Sequence, residues 1–241
     1  MPEKSVQEIN IDDMTLDEIG LKNGTDKSSL HHGYLYFYDS FFSGLRKQEI
    51  KLLEIGVFRG ASVKTWEEYF KKGTIIGADI NPATKCYDSG RISIEIVDQS
   101  NIQDLTDISI KHGPFDIIID DGSHYWEHQK TSLLTLFPFV KDGGFYVVED
   151  LQTNYGDLSN DYRGIASDSC VNYLKKMADI TVADEQMDLG SIEDPFLRTY
   201  GKTDYITFYR HMVVIKKKAS RTSGCKLECN PISESFNAVL P

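Results

Sequence analysis

Basic charge is scarce in this chain. Its 241 residues carry 26 Lys and Arg against 37 Asp and Glu, a formal net charge of −11. Such a balance argues against nucleic-acid binding, which needs clustered cations on phosphates. The one basic run, Lys216-Lys217-Lys218, reads as the solvent end of a strand. Cysteine is scarce too. Four scattered residues make no disulfide framework, and Cys225 and Cys229 have no neighbouring His or second Cys pair to complete a zinc site. They read as reduced thiols of a cytoplasmic protein. No stretch approaches the roughly 20 apolar residues of a membrane span, the opening Met1-Pro2-Glu3-Lys4 has no apolar signal core, and there is no internal repeat. G-x-G-x-x-G is missing, which excludes the usual nicotinamide or flavin turn.

The most informative stretch that is present is Leu52-Leu53-Glu54-Ile55-Gly56-Val57-Phe58-Arg59-Gly60-Ala61-Ser62. Apolar residues run into an acid, and a glycine turn follows before a helix. Glycine lets the backbone turn sharply and approach a ligand closely, at the carboxyl end of a strand where open α/β sheets bind ligands. Phe58 stands where a dinucleotide site wants its second glycine. E-x-G-x-x-x-G suits S-adenosylmethionine (SAM) better, because its sulfonium and α-amino group tolerate a nearby carboxylate and it has no pyrophosphate.

Around this turn the pattern alternates as in a doubly wound sheet. It predicts strands at Lys51–Ile55, Thr74–Asp79, Ser93–Val97, Phe115–Asp120 and Phe145–Val148, the last introduced by a turn at Gly143-Gly144. Helices are expected at Ala61–Phe70, Ile102–Lys111, Trp126–Val140 and Val171–Ala178, with a closing antiparallel hairpin of Tyr205–Tyr209 and Met212–Lys216. The fold class is therefore α/β, Rossmann-like and doubly wound, with a mostly parallel seven-stranded sheet ending in an antiparallel hairpin strand. Residues 1–22 read as an acidic N-terminal arm, 23–218 as one SAM-dependent domain and 219–241 as a polar tail. The aromatic stretch Tyr34 to Leu45 reads as a helix; it and the arm serve either the core or a homo-oligomer interface.

Each strand delivers polar residues at its carboxyl end. Asp79, roughly 20–25 residues after the glycine turn, is placed for a ribose hydroxyl pair. Asp98 and Gln99 follow strand three, beside the expected adenine. Strand four ends Asp120-Asp121-Gly122-Ser123-His124, and strand five ends Glu149-Asp150. Neighbouring carboxylates repel unless a cation joins them, and hard oxygen ligands select Mg²⁺, Mn²⁺ or Ca²⁺. Capping of the next helix would explain one acid per strand but not two. Spacing alone does not choose between Asp120 and Asp121. His124 lies in reach of the same cleft as a general base. His124 and His128 share a helix spacing, but Tyr125 replaces the Glu of H-E-x-x-H, which argues against zinc. Asp79-Ile80-Asn81-Pro82 has Ala83 where an amino-methyltransferase signature wants an aromatic, and it follows strand two, so that reading is set aside.

Taken in order, these pieces resemble the class I SAM-dependent methyltransferases of the macrolide sugar O-methyltransferase type, grouped with cephalosporin-hydroxylase-like proteins. The resemblance rests on Gly24-Thr25-Asp26-Lys27 with His32 and Tyr34, Glu54-Ile55-Gly56-Val57, Gly60-Ala61-Ser62 with Trp66, Gly77-Ala78-Asp79-Ile80, Asp98-Gln99-Ser100, Asp120 to His124, and Gly143 to Leu151. It covers about residues 23–155. It implies that Thr25, Glu54, Gly56, Gly60, Ser62, Asp79, Asp98, Gln99 and Asp121 line the SAM pocket. It further implies that Asp121, Glu149 and Asp150 hold Mg²⁺ and that His124 is the base. The expected reaction is O-methylation of a hydroxyl on a sugar or glycosylated small molecule, either a natural product or a surface-polysaccharide precursor. A short arm stands before Gly24 where a member of that type carries a long domain, a departure that bears on acceptor recognition and assembly. Residues 155–205 are expected to supply the lid and acceptor contacts. The competing readings are a metal-independent methyltransferase and a non-catalytic SAM-binding module.

Overall fold

The structure, a computed structural model, describes residues 13–183, 188, 190 and 200–220. Helix α1 (Leu16–Asn23) opens on a capping box. Thr15 accepts from the Glu18 backbone N–H, and the Glu18 carboxylate accepts from Thr15 N–H at 2.7 Å, satisfying two helix-end donors. Gly24, at φ 72°, ends it. Leu16 and Ile19 are fully buried, so α1 packs one face into the core while Glu18, Leu21 and Lys22 stay exposed. Helix α2 (Tyr34–Phe42) buries Tyr34, Leu35, Tyr38 and Phe42 along one face, the spacing of an amphipathic helix.

The sheet follows: β1 (Lys51–Ile55), β2 (Thr74–Asp79), β3 (Ile92–Ile96), β4 (Phe115–Asp120), β5 (Val140–Val148), β6 (Thr203–Tyr209) and β7 (Met212–Lys217), in the order β3-β2-β1-β4-β5-β7-β6. The first five are parallel, and β7 runs antiparallel to both β5 and β6. Successive side chains alternate between two apolar layers. Leu53, Ile55, Ile118 and Tyr146 face α4 (Ile102–His112), α5 (Trp126–Leu136) and α7 (Cys170–Ala183). Leu52, Ile117, Ile119 and Val147 face α1, α2 and α3 (Ala61–Tyr69). Phe42 stacks on Tyr38 and meets Phe145 edge-on. Phe42→Ala should cost roughly 3–5 kcal/mol, read as a lower urea midpoint at unchanged slope.

Two expectations are corrected. Strand β5 begins at Val140, five residues early, and Gly143-Gly144 lies inside it rather than in a turn. The pairing with β4 shifts register between Phe115 and Ile117, and a Cβ on Gly144 would lie 2.7 Å from the Asp116 carbonyl oxygen. Glycine there permits a bulged, close approach of backbones. Helix α5 stops at Leu136, and a 3-10 turn carries Pro138. Past Asp150 a 3-10 turn (Leu151–Asn154) and α6 (Leu158–Tyr162) appear, where the sequence showed no clear period. The tail beyond Ser220 and most of residues 184–199 lie outside the described residues.

Cys86 is exposed and Cys170 buried, and among the described residues both are free thiols. Burial pushes the Cys170 thiol up. Alkylation of the native protein should spare Cys170 until the chain unfolds, as peptide mapping by mass spectrometry would read; rapid native labelling of Cys170 would contradict its sealed position. Among the described residues, no helix is long and apolar enough to cross a membrane.

Candidate active site

The strand order reverses between β1 and β4, and the crevice at this switch point is where open α/β sheets take ligands. The glycine turn forms its floor. Gly56 has φ 93°, and its N–H donates to the Ala78 carbonyl at 2.8 Å. Asp79 at the end of β2 ties the turn down: Oδ2 accepts from Val57 N–H at 2.9 Å and Phe58 N–H at 3.0 Å, and Oδ1 from Asn81 N–H at 2.8 Å. Gly60, at φ 72°, starts α3. A cavity of about 540 Å³ opens above. Asp79, Asn81, Asp98 and Gln99 line it together with Asp121, Ser123, His124, His128 and Asp150.

The acids beside the cavity are unevenly exposed. Asp120 turns away, 1% exposed, and accepts from Gln99 Nε2 at 2.7 Å; burial pushes its carboxyl up to about 7. Asp121 faces the cavity. Donor atoms of Asp121, His124 and Asp150 lie within 4.8 Å of one another, with His124 Nε2 3.5 Å from Asp150 Oδ2. Both His124 (φ 60°) and Asp150 (φ 55°) are left-handed, an uncommon backbone for non-glycine residues. Glu149 is buried. Its Oε2 accepts from Lys27 Nζ at 2.7 Å and its Oε1 from the Tyr38 hydroxyl. The Tyr34 hydroxyl donates to Asp150 Oδ1 at 2.8 Å.

Electrostatics follow from this burial. Desolvation raises Asp121 and Glu149 above the ordinary carboxylate range, against the pull of Lys27. For Lys27, burial would lower the ammonium, but Asp121, Glu149 and Glu54 outweigh it and hold it well above the usual range. For Asp150, burial is outweighed by His124 and the Tyr34 hydrogen bond, and its carboxyl lies low.

Of the residues singled out from sequence, Gly56, Asp79, Asp98, Gln99, Asp121, His124 and Asp150 line the cavity. Thr25, Glu54, Gly60, Ser62 and Glu149 lie outside its lining. Glu54 is fully buried, accepts from Ser62 Oγ at 2.7 Å, and burial pushes it up to about 7. Thr25 accepts from Lys27 N–H at 3.3 Å. Sequence reasoning missed Lys27, Tyr34 and Tyr38 as partners of the acids. Lys27 and Tyr34 stood in the matched string, but nothing local showed what they touch. His128, whose Nδ1 is 2.7 Å from Ser123 Oγ, was also unassigned as a lining residue.

The donor chemistry fits a hard divalent cation. Mg²⁺ is commonly held by one or two carboxylates with waters, and the Asp121 and Asp150 side chains are 22% and 18% exposed. Glu149 is not among the donor atoms gathered within 4.8 Å of one another, and its two oxygens already accept from Lys27 and Tyr38.

The fold and this crevice define the class: a Rossmann-like methyltransferase fold of class I. No family model matches the chain. Its particular relatives are sugar O-methyltransferases. It is 33% identical over 219 residues to 8-demethyl-8-alpha-L-rhamnosyl tetracenomycin-C 2'-O-methyltransferase of Streptomyces olivaceus, covering 86% of this chain and 55% of that protein. It is 39% identical over 147 residues to demethylmacrocin O-methyltransferase of Streptomyces fradiae, covering 58% and 37%. Among solved structures, the MycE methyltransferase of the mycinamycin biosynthetic pathway, in complex with Mg and SAH, superposes with a TM-score of 0.73 at 29% identity, over 88% of this chain and 56% of that one. The chain thus spans about half or less of the length of these curated relatives. The family resemblance read from the motifs stands on these relatives.

Proposed function

We propose that this domain transfers a methyl group from SAM to a hydroxyl of a sugar or glycosylated small molecule, assisted by Mg²⁺. One observation carries the reading: a single cavity has Asp79, Asp98 and Gln99 along one part of its wall and the Asp121–His124–Asp150 cluster along another. In this reading Asp79 accepts from the ribose hydroxyls, and Asp98 and Gln99 flank the adenine. Asp121 and Asp150, with Glu149 beside them, are the carboxylates that would hold Mg²⁺. When bound, the ion supplies positive charge that lowers the pKa of an acceptor hydroxyl. His124 takes the hydroxyl proton. The acceptor oxygen forms the new C–O bond as the C–S bond breaks, and its electron pair stays on sulfur, leaving S-adenosylhomocysteine. Because the reaction is an in-line displacement, much of the rate comes from positioning. The acceptor is a small-molecule glycoside or a sugar of a polysaccharide precursor.

The test is calorimetry. SAM, then S-adenosylhomocysteine, is titrated into metal-stripped protein and again with Mg²⁺ restored. Micromolar binding of both is expected. A separate Mg²⁺ heat is expected in the wild type and not in Asp121→Asn, whose methyl transfer falls with it. No binding of either ligand in either condition overturns the reading, and chelator-insensitive transfer removes Mg²⁺ from it.

A further inference from the structure

Lys27 is nearly sealed, with 2% of its side chain exposed. Its Nζ lies 2.5 Å from Asp121 Oδ2, 2.7 Å from Glu149 Oε2 and 3.6 Å from Glu54 Oε1. Glu54 belongs to β1, and Asp121 and Glu149 directly follow β4 and β5. Three neighbouring strands therefore aim acids at one ammonium. The lysine comes from the loop between α1 and α2 and is anchored there: its N–H donates to Thr25 Oγ1, and its carbonyl accepts from Leu35 N–H at 3.2 Å. Carboxylates taken out of water without a counter-charge are strongly disfavoured and repel one another. We infer that Lys27 is a counter-ion built into the chain, a positioning residue that holds Asp121 and Glu149 together before any divalent cation binds. Lys27 takes one oxygen of each, Oδ2 and Oε2, and so sets how the two carboxylates are presented. The inference rests on the proposed function only for the naming of these acids as metal ligands.

The experiment compares melting temperatures of metal-stripped wild type, Lys27→Met, and Lys27→Met combined with Glu149→Gln, each with and without added Mg²⁺. Methionine keeps most of the apolar stem and removes the charge. Breaking a buried pair from one side should lower the metal-free melting temperature by roughly 6–20 °C. The double variant removes one orphaned charge and should recover at least about half of that loss, a coupling that a pure packing role would not show. A cation that binds the folded state stabilises it by mass action, and the acids left without their counter-charge in Lys27→Met attract Mg²⁺ more strongly, so Mg²⁺ should raise Lys27→Met at least twice as far as wild type. A single variant that folds only when Mg²⁺ is present also supports the assignment. The inference is overturned if Lys27→Met melts with wild type. It is equally overturned if the double variant melts no higher than the single one, failure of both to fold included, or if Mg²⁺ raises single variant and wild type alike. Failure of the proposed function looks different: wild type gives no SAM or S-adenosylhomocysteine heat, while the metal-free comparison of single and double variants still reads Lys27.

Discussion

Replacing His124 with alanine is expected to lower turnover by roughly 10²–10⁴ and to leave SAM affinity within a few-fold of wild type. His124 sits just past β4, held at φ 60° and lining the cavity. Its Nε2 faces Asp150 Oδ2 at 3.5 Å, and its ring stands 6.2 Å from that of Tyr162. Nδ1 is buried without a hydrogen-bond partner among the described residues, so Nε2 is the nitrogen placed to exchange a proton with an acceptor. The residues proposed for the nucleoside, Asp79, Asp98 and Gln99, come from other strand ends, which is why binding and turnover should separate. Single-turnover kinetics with a glycoside acceptor, alongside S-adenosylhomocysteine calorimetry, make the measurement. Unimpaired transfer by the variant would remove His124 from the role of base. A parallel collapse of cofactor binding would assign it to the pocket wall instead.

Gly56→Ala is expected to destabilise the fold by roughly 2–6 kcal/mol and to weaken SAM binding by more than about tenfold, which needs only about 1.4 kcal/mol. At Gly56 φ is 93°, and an added Cβ would lie 2.0 Å from the Asp121 carbonyl oxygen and 2.7 Å from its carbonyl carbon. Those are backbone atoms that cannot rotate aside. Relief must come from separating the ends of β1 and β4, which is where Asp121 enters the cavity. Gly33 is the control. Its φ is 70°, but a Cβ there meets nothing within 4 Å among the described residues, so Gly33→Ala should cost only the left-handed penalty of roughly 1–2 kcal/mol. Equal losses in the two variants, by urea denaturation, would show that close approach at Gly56 is not what matters.

Much of the frame is legible in the amino-acid order. The bounds Lys51–Ile55, Thr74–Asp79 and Phe115–Asp120 read from the apolar runs are those of the folded strands. A buried parallel strand is a nearly continuous apolar run, and its ending in an acid is a local event. The β5 start was not legible, because its first residues include Lys141, Asp142 and two glycines, and their strand conformation comes from pairing across a register shift with β4. The same holds for the 3-10 turn after Asp150, whose Leu151 N–H donates to His211 on the hairpin.

The site divides along the same line. The sequence by itself determined that acids and a histidine follow β4 and β5, that a glycine turn follows β1, and that Asp79 closes β2. Each of these is set by residues a few places apart along one strand or turn. Spacing along the chain left Asp120 and Asp121 open and only the family resemblance implied Asp121; the tertiary structure puts Asp121 on the crevice, because adjacent residues at a strand end point to opposite sides, and the pairing of Ile55 with Asp120 selects the side. Only it brought Lys27 against Asp121 and Glu149, 94 and 122 residues away in sequence, and Tyr34 and Tyr38 onto Asp150 and Glu149. Those partners stand on a loop and a helix laid across the sheet by apolar burial, which is non-directional and leaves no spacing in the sequence from which such pairings could be read.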